Sequence, residues 1–402
     1  NIDSITFALN GSANWTTGLI QLANGGVLQI GSSGVLNSNP SLAFESIFGS
    51  GIGTPEVRNG GAINKLGPNY SGIGQSVQYS GTGSISVSAG DFTFAANSLS
   101  ALSGSYTAAA GATLQFVGGD RSFTTGATLT GGNLVFGDSS PMPGINVVDA
   151  CIGAGSSVII RNAELVLNCA GTTDLAVLQM AEPQAVLEGS STIRVSGSMG
   201  WSYGTIRGTG LTQLFEIAPG AVAQFDAPQG DQIPRILSNR RLRNFGTISW
   251  IASNATEVSD GAQFANESGG QLFLAGNGAR AVLSNAPATS LMMNNGTLGV
   301  DDGAQGDFDV AFDNSGSVQL TNGSLRLHRA GSDSGSYSIA APSVLHLDGA
   351  ARSMSASSVV SGAGAVGAVN GASVITSGTF EPHSLVIESG STVEIDSAAA
   401  QL

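Results

Sequence analysis

Apolar and polar residues alternate along this chain in short bursts: VLQI (27–30), SISVS (84–88), FTF (92–94), TLQF (113–116), NLVF (133–136), ELVL (164–167), QLFL (271–274), SLRL (324–327) and TVEI (392–395). A period of two marks a strand with one face buried. Glycine, asparagine or serine bounds most of these bursts, and the 3.6-residue periodicity of a helix is nearly absent. Many short strands at even intervals fit a sandwich, a barrel, a propeller or a solenoid.

A second pattern selects among these. The string apolar-x-Asn-x-Gly-x-apolar occurs as VRNGGAI (57–63), LRNFGTI (242–248), MMNNGTL (292–298) and FDNSGSV (312–318). In YSGTGSI (79–85) Gly81 stands where asparagine would, and FANESGGQL (264–272) carries two additional residues. Phe264, Met292 and Phe312 are separated by 28 and then 20 positions. A repeat near 20 residues with variable excursions indicates stacked coils, whereas a propeller blade needs about twice that length. The fold class expected is therefore all-β, a β-solenoid of about 20 residues per coil with loop excursions. Glycine is expected to supply a positive-φ corner, and the asparagine to tolerate a left-handed conformation. Stacked at one corner, Asn59, Asn244, Asn294 and Asn314 would form a ladder of amides that satisfies buried turn polarity. None of the four has Ser or Thr at the second following position, so none is a glycosylation acceptor.

One long segment is stated twice. SGSYTAAAGATLQFVGGDRSF (103–123) returns as SGSYSIAAPSVLHLDGAARSM (334–354), 231 positions later. Neither copy holds an evident reactive group, so the duplication reads as architecture.

The runs 57–94, 312–327 and 377–396 resemble the degenerate β-solenoid repeats of secreted bacterial surface proteins, the autotransporter passengers and filamentous-haemagglutinin-like adhesins. The resemblance touches about half of the chain and implies a right-handed parallel β-helix exported to the cell surface. Under it, residues 1–402 form a single elongated solenoid of about twenty coils, on the order of 95 Å long at about 4.8 Å per coil. Residues 38–56 read as an insertion or long loop, and residues 138–235 as less regular coils.

Composition agrees with a folded, loop-dense chain. Charged residues are 10% of the total against about 25% in ordinary domains, yet 41% are hydrophobic and regularly spaced, unlike a disordered chain. The net charge of −14 argues against nucleic acid as a partner, since that requires a positive field. No apolar run reaches the ~18 residues of a membrane span. The chain starts at Asn1 rather than Met, as a processed protein or a segment of a larger one would. Cys151 and Cys169 lie 18 positions apart, at equivalent places on adjacent coils, where strand spacing suits a disulfide. Two free thiols are the alternative. A disulfide would favour an extracellular location.

Candidate chemistry is sparse. Asp307 and Asp309 in DDGAQGDFDVAFDN alternate onto one outward face and are candidates for Ca²⁺ binding or an acid/base pair. A solvated acidic edge is the competing reading. His328, His346 and His383 lack metal-ligand spacing, and no nucleophile elbow, phosphate loop or paired C-x-x-C occurs. Arg240, Arg241 and Arg243, together with Arg235, are candidates for docking an acidic glycan or a partner. Trp201 and Tyr203 in GWSYG are candidates for a sugar-stacking platform, and their bland reading is coil filling. The expected function is a stiff extracellular rod, stalk or self-assembling fibre subunit, with homo-oligomers formed through the solenoid ends and no cofactor. The rival is a polysaccharide-binding or polysaccharide-cleaving β-helix protein. A trimeric tailspike-like receptor binder is a third option.

Overall fold

The computed structural model describes residues 1–41, 44–98, 100–139, 144–226, 233–251, 254–276, 278–283 (backbone) and 289–396. These residues form an all-β, parallel solenoid whose strands stack about 22 residues apart, in about 17 turns. The expected twenty turns are thus too many. Coil length is set by the excursions between strands, which differ from turn to turn: Ile145 pairs with Glu164, whereas Gly204 pairs with Arg235. No helix among the described residues is long and apolar enough to cross a membrane.

The chain sorts into two compact units, Asn1–Ile193 and Arg194–Leu402. In the first, Thr6–Leu9, Val27–Ile30, Glu56–Asn59, Gln78–Ser80 and Asn97–Ser98 make a separate five-stranded sheet. Beyond it, one strand serves two faces. Ser105–Phe116 pairs with Thr128–Phe136 through residues 105–108 and again through 113–116, with an irregularity between Ala108 and Thr113. The stretch 38–56, expected to be an insertion, instead carries Phe44–Ser50, which pairs in register with Ile20–Ala23 and Tyr70–Ile73. Its residues 42–43 lie outside the described residues. The stretch 138–235 also contains paired coil strands, for example Ile145–Val148 with Glu164–Leu167; residues 140–143 and 227–232 lie outside the described residues.

In the second unit the turns between Arg235 and Met354 use three strands each; further on, Val359–Val369 pairs with both Ser336–Ile339 and Val344–Asp348. One face stacks Arg235–Ser238, Thr256–Ser259, Gly278–Leu283, Ala304–Asp309, Gly323–Leu327 and Val344–Asp348. The next stacks Arg241–Asn244, Gln263–Asn266, Leu291–Asn294, Ala311–Asn314, Gly331–Asp333 and Ala351–Met354. The third stacks Thr247–Trp250, Gln271–Leu274, Thr297–Val300, Ser317–Leu320 and Ser336–Ile339. Four-residue strands such as RLRN and QLFL turn alternate side chains inward, so each contributes two residues to the core. Leu242, Phe264, Met292 and Phe312 stack fully buried in one column.

The core also encloses tyrosines. Tyr79 is fully buried, its hydroxyl accepts a 2.9 Å hydrogen bond from Asn59 Nδ2, and burial pushes its pKa up to about 12. Burial likewise raises Tyr106 and Tyr337. The unfolded chain loses the Tyr79 proton near pH 10, while the folded chain keeps it until about pH 12. Stability therefore falls with rising pH across that window, by on the order of 2 kcal/mol for this one group. Urea titrations between pH 8 and pH 12 should show a stability that declines above pH 10, and Tyr79→Phe should lessen the decline.

Candidate functional site

The side chains nominated by chemistry sort into three settings: a buried corner column, a set of enclosed cations, and a charged lattice on one outer face. The column is the most regular. Asn244 Nδ2 donates to Asn266 Oδ1 at 2.8 Å, Asn266 Nδ2 to Asn294 Oδ1 at 2.8 Å, and Asn294 Nδ2 to Asn314 Oδ1 at 2.9 Å. Each amide also donates to a main-chain carbonyl of the following coil, at Gln271, Thr297, Ser317 and Ser336 in turn. Asn244 and Asn314 accept from the backbone N–H of Gly246 and Gly316. All four side chains are buried.

Two sequence expectations about this motif need correction. Asn59 is not a rung. In its column the next position is Gly81, so its amide donates to Tyr79 Oη and to the Ser84 carbonyl. The motif glycines Gly61, Gly246, Gly296 and Gly316 are not at positive φ, and neither are the asparagines. Their requirement is closeness: a Cβ on Gly296 would drive into the Gly270 carbonyl oxygen, and one on Gly316 into that of Gly296. Stacked corners approach so tightly that only hydrogen fits.

Below Asn314 the column changes chemistry. Asp333 pairs in register with Asn314 and receives Arg352 Nε at 2.6 Å, Arg352 Nη2 at 3.0 Å and Tyr337 Oη at 2.7 Å. Arg352 Nη2 also donates to the Phe312 carbonyl at 2.7 Å, and the guanidinium lies 5.6 Å from the Phe312 ring centroid. Burial pushes the Arg352 pKa down, but Tyr337 and Asp333 outweigh that and leave it raised. Thr376, two coils further, accepts from the Gly378 N–H. The strings GSDSGSY (331–337) and VITSGTF (374–380) carry the motif with Asp or Thr in place of Asn, so a looser template would have found both.

The duplicated segment is explained by a second enclosed arginine. Arg121 corresponds to Arg352 and Tyr106 to Tyr337 across the same 231-residue offset. Arg121 is buried and donates to the carbonyls of Phe94, Ala96, Val117, Gly118 and Gly119. Burial lowers its pKa to about 10, which leaves it charged at neutral pH. A guanidinium offers five fixed donors and so can close several corner carbonyls at once. The repeated Arg-Ser pair was the available signal. Lys65, also enclosed, donates to the carbonyls of Gly67 and Ala89.

The docking and stacking candidates are mostly inside. Arg235 and Arg240 are fully buried. Arg235 donates to Thr256 Oγ1 at 3.1 Å and Asn254 Oδ1 at 2.7 Å and lies over the Phe225 and Trp250 rings. Arg240 donates to the Arg207 carbonyl. Arg241 and Arg243 share Glu267 at 3.2 and 2.7 Å, and Arg243 also reaches Glu216 at 3.3 Å. Trp201 is fully buried and edge-on to Phe225 at 5.2 Å, and Tyr203 is buried beside it in sequence. A sugar cannot stack on either ring, and a glycan cannot reach Arg240. Trp201, Tyr203, Arg235 and Arg240 are part of the core.

Asp307 and Asp309 do face outward together, and each is engaged by a side chain of the next coil. Asp307 Oδ1 contacts His328 Nε2, and Asp309 Oδ1 accepts from Arg329 Nε at 2.6 Å. His328 Nδ1 in turn lies 3.3 Å from Asp348 Oδ2, which also has Arg326 Nε at 3.7 Å. No group of three or more His, Cys, Asp or Glu among the described residues could hold a metal ion. Cys151 and Cys169 are joined in a disulfide between adjacent coils, with 4.9 Å between their Cα atoms.

Asn294→Ala would strip one Asn266 amide hydrogen of its acceptor and the Ser317 carbonyl of a donor in the core, at a cost of about 3 kcal/mol. Ser315→Ala, one residue from the column on the outside, should cost under about 0.5 kcal/mol; urea midpoints of both variants check this. Arg352→Ala should cost about 3–5 kcal/mol by stranding the Asp333 carboxylate, and Asp333→Asn in that background should recover part of the loss. No protein-family model matches the chain and no curated protein matches it.

Proposed function

We propose that this chain is the stalk or adhesive segment of an extracellular surface protein, in which a stack of coils sets reach and stiffness. The observation that carries the reading is the continuous amide column from Asn244 to Asn314. It places the specialised side chains of four coils in holding one coil to the next. Solenoid stability is a sum of coil and nearest-neighbour terms, so every rung adds resistance to pulling a coil away from its neighbour. The Cys151–Cys169 disulfide supports an oxidising compartment, and its closed loop should contribute about 3 kcal/mol. Parallel coils also leave backbone edges unpaired wherever a copy stops, which favours association of copies end to end.

Electron micrographs of the purified chain are expected to show rods. Compact particles would overturn the stalk reading, as would cleavage of acidic polysaccharides during incubation with the chain. Sedimentation velocity over a wide concentration range should show association, and a concentration-independent monomer would remove the end-to-end part of the proposal. Dithiothreitol should lower the urea midpoint of the chain but leave that of a Cys151→Ser/Cys169→Ser variant unchanged.

A further inference from the structure

The outer face that carries Asp307 holds a cavity of about 300 Å³ lined by Gln305, Gly306, Asp307, Ser324, Arg326 and His346. Ligand pockets begin at about this size. The register explains why these residues converge. Gln305 stacks on Ser324, and Asp307, Arg326 and His346 stack as one outward column on three successive coils. The column ends against Gly367, the partner of His346 on the next coil, where a Cβ would press on the imidazole at 3.3 Å.

The lining groups have hydrogen-bonding capacity that the fold does not use. Among the described residues the Gln305 and Ser324 side chains make no hydrogen bond within the chain. His346 Nδ1 is buried without a partner. Burial, and then the neighbouring Arg326 charge, lower the His346 pKa; Nδ1 is closed off beside Gly367, so Nε2 is the ring atom left to meet a ligand. Arg326 is 44% exposed, stacks on Asp307 in the column, and among the described residues pairs with Asp348 at 3.7 Å. That leaves most of its planar fork open to a second carboxylate. Asp348 is held elsewhere, by His328 and by Asn370 Nδ2 at 2.8 Å. Asp307 is fixed by His328 through one oxygen, and its other oxygen is available to a hydroxyl.

We propose that this cavity binds one carboxylate-bearing sugar residue of an acidic polysaccharide. Arg326 takes the carboxylate in bidentate fashion. Gln305, Ser324, His346 and the free oxygen of Asp307 take the ring hydroxyls. A neutral sugar satisfies the acceptors but leaves the guanidinium facing solvent, so the acidic group sets specificity.

Isothermal titration of the whole chain with tetragalacturonate and with maltotetraose tests this. Saturable binding of the acidic tetrasaccharide is expected, at least tenfold tighter than the neutral one and weakened by added salt. Arg326→Ala should weaken it tenfold or more, and so should His346→Ala, with urea midpoints near that of the parent chain. Arg329→Ala, which removes the partner of Asp309 outside the cavity, should leave binding unchanged. Absence of saturable binding, equal affinity for the two sugars, or indifference to Arg326→Ala each overturns the proposal. The site goes beyond the stalk reading: rods that bind no sugar would remove the site alone, and compact particles that bind tetragalacturonate would remove the stalk alone.

Discussion

The second unit depends on satisfying one buried corner in every turn. A parallel coil must bend sharply to remain in register with its neighbours, and each bend brings backbone polar groups inside. Leaving such groups unpaired costs about 1–3 kcal/mol each. The asparagine column meets this with one residue type, because a carboxamide is both donor and acceptor. Asn294 illustrates the arrangement: it accepts from Asn266 and donates to Asn314 and to the Ser317 carbonyl. Two positions further on stands the glycine whose missing side chain allows the coils to approach that closely.

Where the amide column stops, the fold uses charge. Asp333 continues the column but cannot donate, and Tyr337 and Arg352 supply the donors from the same and the following turn respectively. Arg121 does related work in the first unit with carbonyls in place of a carboxylate. Burying a guanidinium is costly where its N–H groups lack partners; Arg121 and Arg352 meet most of theirs, with Arg121 Nε and Arg352 Nη1 left buried and unpaired, so these positions tolerate little change. The two copies of the duplicated segment share this enclosed arginine and the enclosed tyrosine. They differ in what the arginine closes.

How much of this was legible follows from chemistry that repeats against chemistry that converges. Strand alternation and the Asn-x-Gly string announce the parallel coils, and Asn244, Asn294 and Asn314 could be named from the string alone. Asn266 was hidden by the two additional residues before Gly270, and Asp333 by its charge, although GSDSGSY keeps the spacing. Asn59 matched the string yet lacks a partner rung, because Gly81 occupies the next position. The glycine was recognised with the wrong reason, since sequence cannot distinguish a positive-φ residue from one squeezed between carbonyls. The arginine cluster misled for a similar cause: in a chain with 14 cationic residues, a basic run looks like a surface, but Arg235 and Arg240 point inward. The cavity at Arg326 and His346 joins residues about one coil apart. No local window shows them together.

The rungs from Asn244 to Asn266 and from Asn266 to Asn294 span 22 and 28 residues, and both close at 2.8 Å. Corner geometry is therefore indifferent to how much chain travels round the rest of the turn. Whole turns of different length are interchangeable parts, and extra loops can be hung from the opposite corners without disturbing the spine. Such a scaffold can lengthen by duplicating a turn, and diversify what it displays by exchanging one loop at a time.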